Sequence, residues 1–100
     1  MAGAYDGVVA RLVADDGAVA GKMFGMDCVK AGGKAFAGNF GEDMVFKLSG
    51  EAHARALALA GAHLFDPMGG RPMKEWVVVP AAQAEAWLEL ARAAMEYVTG

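Results

Sequence analysis

Few side chains in this sequence could act as a nucleophile. Cys28 is the only cysteine, and His53 and His63 are the only histidines. A catalytic cysteine needs a lowered pKa and a base in contact with it, and neither histidine stands at a spacing from Cys28 that implies contact. We therefore expect Cys28, beside Val29 on a strand, to be a small buried residue. We predict no catalytic residues and a protein that is not an enzyme.

Metal and phosphate binding are also not indicated. The sequence has no C-x₂-C or H-x₃₋₅-H pair that could converge on one ion, and the acidic pairs 15–16 and 42–43 are typical of solvated turns. In 32–34 and 69–71 a cation follows two glycines. Neither stretch has the longer P-loop string that opens a helix. We interpret both as turns and predict no cofactor.

The segment from Phe65 to Trp76 concentrates residue types that are common at interfaces. Tryptophan, arginine and methionine are enriched there, and loops often carry function. We predict an interaction surface formed by Phe65, Asp66, Arg71, Lys74 and Trp76. For three of these residues a structural role is also open, and we favour it over contact with a partner. Trp76 is then a core residue, and Asp66 and Arg71 brace the loop through an ion pair or hydrogen bonds.

The lysines are the candidates for nucleic-acid contacts. The formal net charge is −3, but residues 21–76 carry five lysines and two arginines against six acidic residues. Nucleic-acid-binding domains usually have a larger basic excess, because phosphate neutralisation supplies much of their affinity. Weak binding by a lysine-bearing sheet, through Lys22, Lys30, Lys34 and Lys47, is therefore an alternative function.

Composition and length predict one folded domain that covers residues 1–100. The chain is 56% apolar, and its size suits a single core. No window has the ~20 apolar residues of a membrane helix, and the start lacks the features of a secretory signal. A single cysteine fits a reducing compartment. We expect a cytoplasmic protein without a membrane partner.

Hydrophobic periodicity predicts the elements that position these residues. Helical spacing covers residues 4 to about 14, 50–60 and a last segment that opens at Pro80 and carries an apolar stripe from Ala84 to Val98. Strand-like runs cover 19–24, 27–31, 34–40, 44–48, 62–65 and 73–79. The order α-ββββ-α-ββ-α predicts an α+β fold, in which three helices pack on an antiparallel sheet of about six strands.

Several local details follow from the same patterns. Gly32-Gly33 between two strands indicates a tight hairpin. In the fourth strand, alternation puts Met44, Phe46 and Leu48 on one face and places Val45 and Lys47 on the other. Ser49 is the expected N-cap of the second helix, in which Glu51 and Arg55 have the spacing of an ion pair.

Three segments taken in order resemble the N-terminal domain of the TfoX/Sxy competence regulators of bacteria. Lys22–Met26 is similar to the family's Met-Phe-Gly element, although Met26 stands where many members have a second glycine. Residues 37–48 resemble the central hairpin, and 65–76 resemble the late loop and strand. The resemblance implies a stand-alone α+β domain linked to the regulation of DNA uptake or transcription, and it implies no catalytic residues.

Together these observations favour a non-enzymatic regulatory or protein-interaction module. We expect it to bind a protein partner, or to self-associate as a homodimer, through a sheet edge or the late loop. The alternatives are the weak nucleic-acid-binding module and a small ligand-binding protein or enzyme. In the last case, some of the seven methionines would line a pocket between the helices and the sheet.

Overall fold

Three α-helices and six strands follow one another in the order predicted from the sequence. The computed structural model describes residues 4–23, 25–66, 69–70 and 73–100. The helices are α1 (Ala4–Asp16), α2 (Gly50–Leu57) and α3 (Trp87–Thr99), and a 3₁₀ helix (Ala81–Ala86) directly precedes α3. The strands are β1 (Val19–Met23), β2 (Met26–Ala31), β3 (Lys34–Phe40), β4 (Asp43–Lys47), β5 (His63–Phe65) and β6 (Met73–Val79).

The strands form one antiparallel sheet in the order β1-β2-β3-β4-β6-β5. The first four strands are a meander, as expected. Gly32 and Gly33 have φ angles of 58° and 80°, which a tight hairpin turn requires and which residues with a Cβ adopt only at a cost. β6 then pairs with β4, and β5 pairs with the far side of β6, so β1 and β5 are the two edges.

Alternation along the central strands divides the buried residues between the two faces of the sheet. On β4, Met44 and Phe46 belong to the larger core, whereas Val45 belongs to a smaller cluster. On β6, Val77 and Val79 face the larger core. We call the side with the larger core the helix face and the opposite side the second face. The distribution predicted for the fourth strand is confirmed.

The helix face carries most of the hydrophobic core. The residues contributed by α1, α3, the sheet and the segment after β4 include Leu12, Val29, Phe36, Met44, Phe46, Leu48, Val77, Val79, Trp87 and Leu90. The Trp87 ring is 1% exposed, and its indole N–H donates to the Val79 carbonyl at 3.2 Å. This bond satisfies the one polar atom of a large buried side chain. It also ties the start of α3 to the end of β6.

The sequence pattern predicted one continuous helix after Pro80, and this prediction is wrong. The first six residues of this segment form the 3₁₀ helix, and Gln83 leaves helical geometry there (φ −108°, ψ 23°). The Ala81 N–H donates to the Asp43 carboxylate at 3.0 Å. This contact anchors the segment to β4 before α3 begins.

Two local predictions for α2 differ from the structure. Ser49 is at the N-cap, but its hydroxyl makes no capping bond. Gly50 has a φ of 59°, so the chain enters the helix through a left-handed residue. Arg55 pairs with Glu89 of α3 at 3.2 Å rather than within α2, because α3 lies beside this helix.

Candidate interaction surfaces

A second hydrophobic cluster, made of Val45, Phe65, Trp76 and Val78, lies on the second face of the sheet. The Phe65 ring also meets Phe40 of β3 edge to face, with 5.1 Å between ring centroids. Two strands separate β3 from β5, so a flat sheet would keep them about 14 Å apart. The contact therefore spans β4 and β6, on the side of the sheet that holds this second-face cluster.

Burial of this cluster changes the interaction surface that the sequence predicted. Phe65 is 1% and Trp76 7% exposed, so Trp76 is a core residue and neither ring is available to a partner in this conformation. Asp66 and Lys74 are exposed. The Asp66 carboxylate accepts a hydrogen bond from the Gly70 N–H at 3.0 Å, which braces the loop. Arg71 lies outside the described residues, so Asp66 and Lys74 remain as the described surface members of this set.

Two of the four candidate lysines on the sheet are on the helix-face side. Lys22 stands opposite Asp27, and its ammonium lies 2.9 Å from that carboxylate. This hydrogen bond and charge raise the pKa of Lys22 above its ordinary value. Lys34 stands opposite Ala31, which belongs to the helix-face core.

The other two lysines are on the second face. Lys30 stands opposite Ala35, which packs against the second-face cluster. Lys47 stands opposite Trp76. Because paired residues share a face of an antiparallel sheet, the four lysines do not form one continuous basic patch.

The groups that could do chemistry are engaged in the structure. Cys28 is fully buried, and burial raises the pKa of its thiol above the ordinary value. The ring of His53 hydrogen-bonds the Lys74 carbonyl at 2.7 Å, and that of His63 bonds the Gly61 carbonyl at 3.1 Å. In the part of the chain that the structure describes, no three His, Cys, Asp or Glu residues are grouped to hold a metal.

The outer edge of β1 is free of a neighbouring strand among the described residues. It belongs to a five-residue strand at the end of the sheet, and Val19 on it is 63% exposed. The opposite edge, β5, has three residues and an irregular register with β6. Short and irregular edges are poor templates for further pairing, so β1 is the better candidate for an added strand.

The hairpin between β1 and β2 indicates which backbone groups of β1 point outward. Met23 and Met26 flank its two-residue link, and such flanking residues exchange hydrogen bonds. Hydrogen-bonded and non-hydrogen-bonded pairs alternate along antiparallel strands. The N–H and C=O groups of Ala20 and Lys22 therefore point away from β2. The short Lys22–Asp27 ion pair agrees, because side chains are closer at non-hydrogen-bonded pairs.

A cleft of about 500 Å³ lies between the start of α1, the β3–β4 turn and the 3₁₀ helix. Its walls include Tyr5, Asn39, Glu42 and Trp87. Burial of Tyr5, followed by the nearby Asp27 carboxylate, raises the pKa of the Tyr5 hydroxyl above its ordinary value. That hydroxyl therefore stays protonated near neutral pH. We call this site the Tyr5 cleft.

Comparisons with protein-family models, with curated proteins and with solved structures found no match for this chain. The resemblance to the TfoX/Sxy N-terminal domain stays a prediction. No helix among the described residues is long and apolar enough to cross a membrane.

Proposed function

We propose that this protein is a non-enzymatic regulatory module that binds an extended protein segment along the outer edge of β1. The observation that carries the proposal is that no strand of the described residues pairs with this edge, on which Val19 is exposed. The register with β2 directs the backbone groups of Ala20 and Lys22 outward. Addition of a strand to such an edge is a common mode of peptide recognition, in which main-chain hydrogen bonds supply affinity. The regulatory part of the proposal rests on the TfoX/Sxy resemblance.

The chemistry of the described residues supports binding over catalysis. A nucleophilic thiol needs a lowered pKa and solvent access, whereas Cys28 is buried and its thiol pKa is raised. Both histidine rings are bonded to carbonyl groups. The nucleic-acid alternative has less geometric support, because the candidate lysines are divided between the two faces of the sheet.

The test uses the whole chain as bait in extracts of its native cell. Ala20→Pro removes the outward N–H but leaves the hydrogen bonds to β2, because proline is tolerated on an edge where its nitrogen faces solvent. Ala20→Thr keeps the N–H and is the matched control. We expect the wild type and Ala20→Thr to capture the same partner and Ala20→Pro to lose it, with unchanged far-UV circular dichroism. Equal capture by all three proteins would contradict the proposal.

Binding of a small ligand in the Tyr5 cleft is a second candidate function. The cleft lies within the usual size range of ligand pockets, roughly 300–1,000 Å³, and combines aromatic walls with polar groups. A thermal-shift screen of metabolites should then find a compound that raises Tm. The rise should shrink with Asn39→Ala, which removes the polar amide from the wall of the cleft. A screen without a hit, or an Asn39-independent shift, would argue against this site.

A further inference from the structure

We infer that the segment bound at β1 is β1 of a second copy of this chain, paired antiparallel about Gly21. This inference rests on the proposed function, since it names the partner of the same edge. The result would be one continuous sheet that runs through both copies.

The outward groups of β1 define the register of this pairing. In a two-fold arrangement centred on Gly21, Ala20 of each copy stands opposite Lys22 of the other. Paired residues of this kind exchange two hydrogen bonds, so the two symmetric pairs use every outward N–H and C=O of Ala20 and Lys22. Gly21 stands opposite its own equivalent at the axis.

The two neighbouring two-fold registers are less favourable. A register centred on Ala20 would require the N–H of Ala18, which already donates to the Leu12 carbonyl at 3.2 Å. A register centred on Lys22 would place two like charges directly opposite each other, which destabilises a cross-strand pair. The Gly21-centred register avoids both costs.

Charge at the edge is compatible with the Gly21-centred register. A lysine on an edge strand often prevents pairing. Here, however, the Lys22 ammonium is held 2.9 Å from Asp27 on the inner strand. The residue that it would face in the second copy is Ala20, which is small and exposed. The ion pair partly offsets this charge, and because both side chains remain exposed the offset is incomplete.

Side chains near the axis also permit close approach. Gly21 has no side chain. The Lys30 side chain covers the place where a Cβ would lie, since its Cε is 3.2 Å from the position of an ideal Cβ on Gly21. Val19, 63% exposed in the single chain, would be partly covered by the added strand. A five-residue pairing buries less than the ~1,200 Å² of stable interfaces, so we expect a weak dimer with a micromolar Kd.

The test is sedimentation velocity of the purified whole chain from about 5 to about 500 μM, with charge-altered variants. Ala20→Glu would stand opposite Lys22 of the second copy and should tighten the dimer, whereas Ala20→Lys should weaken it. Each pair occurs twice, so we expect Kd to change by roughly two- to 25-fold in each direction. Ala82→Glu and Ala82→Lys, at an exposed position on the 3₁₀ helix, are controls for net charge and should leave Kd unchanged.

The outcomes separate this inference from the proposed function. A monomer over the whole concentration range overturns the inference, as does a dimer whose Kd moves the same way with Ala20→Glu and Ala20→Lys. If another protein is still captured by the wild type and lost with Ala20→Pro, the proposed function stands without the dimer. If the dimer forms but Ala20→Pro leaves it intact, both the register and edge recognition are wrong.

Discussion

Replacement of Phe65 by alanine should destabilise this domain strongly, although Phe65 lies on an edge strand beside an exposed loop. The ring is 1% exposed and contacts Phe40 edge to face. Truncation of a buried phenylalanine costs about 3–5 kcal/mol, of which the aromatic pair accounts for about 0.5–1.5 kcal/mol. Domains of this size are stable by only about 5–15 kcal/mol, so Tm should fall by more than about 10 °C.

The assay is urea unfolding followed by far-UV circular dichroism, because the buried rings of Trp76 and Trp87 would give a mixed fluorescence signal. Phe65→Leu keeps most of the apolar volume and should lose less stability. A double-mutant cycle with Phe40→Ala isolates the ring contact, with an expected coupling of about 1 kcal/mol. If Phe65→Ala loses less than about 1 kcal/mol, the second-face cluster does not stabilise the fold and the reasoning is refuted.

Three further predictions concern other parts of the fold. Trp87→Phe removes the donor to the buried Val79 carbonyl and should lower the free energy of unfolding by about 1–3 kcal/mol in urea titrations. A change below about 0.5 kcal/mol would contradict this prediction. The raised thiol pKa of Cys28 means that the folded state retains a proton that the unfolded state releases, so stability should fall as pH rises through the ordinary thiol pKa of 9.0. Cys28→Ala should flatten that part of the pH profile, and native Cys28 should react with a thiol reagent far more slowly than the urea-unfolded chain; equal rates would refute its burial. Arg92→Ala breaks exposed ion pairs, including the 2.9 Å contact with Asp16, and should lower the free energy of unfolding by less than about 1 kcal/mol. This loss should shrink in high salt, because salt screens exposed charges. A loss that does not change with salt would contradict the prediction.

Local sequence patterns determined the elements and the face on which most apolar residues lie. The alternation in β4 predicted that Met44 and Phe46 would face away from Val45, and the structure has them in different clusters. The Gly32-Gly33 link predicted the β2–β3 hairpin. These features depend on residues a few positions apart, whose side-chain directions follow from strand geometry.

The candidate surface was less predictable, because the same alternation does not say what covers each face. The interaction surface predicted for the Phe65–Trp76 segment stays a prediction, whereas the core position favoured for Trp76 is confirmed. Nothing in the local pattern indicates that Phe65 reaches Phe40 across two strands. The lysines illustrate the same limit, since their division between faces follows from strand register, including the irregularity beside Lys30.

By itself, then, the sequence determined the order α-ββββ-α-ββ-α and the apolar stripe of α3, because helix and strand periodicity act between near neighbours. Only the tertiary structure decided that β6 inserts between β4 and β5, and therefore that β1 is left as the longer free edge. The physical reason is that β4 and β6 are both apolar on two faces and pair across some thirty residues of chain. Burial of the whole core, rather than any local preference, selects that neighbour and with it the edge where we expect a partner to bind.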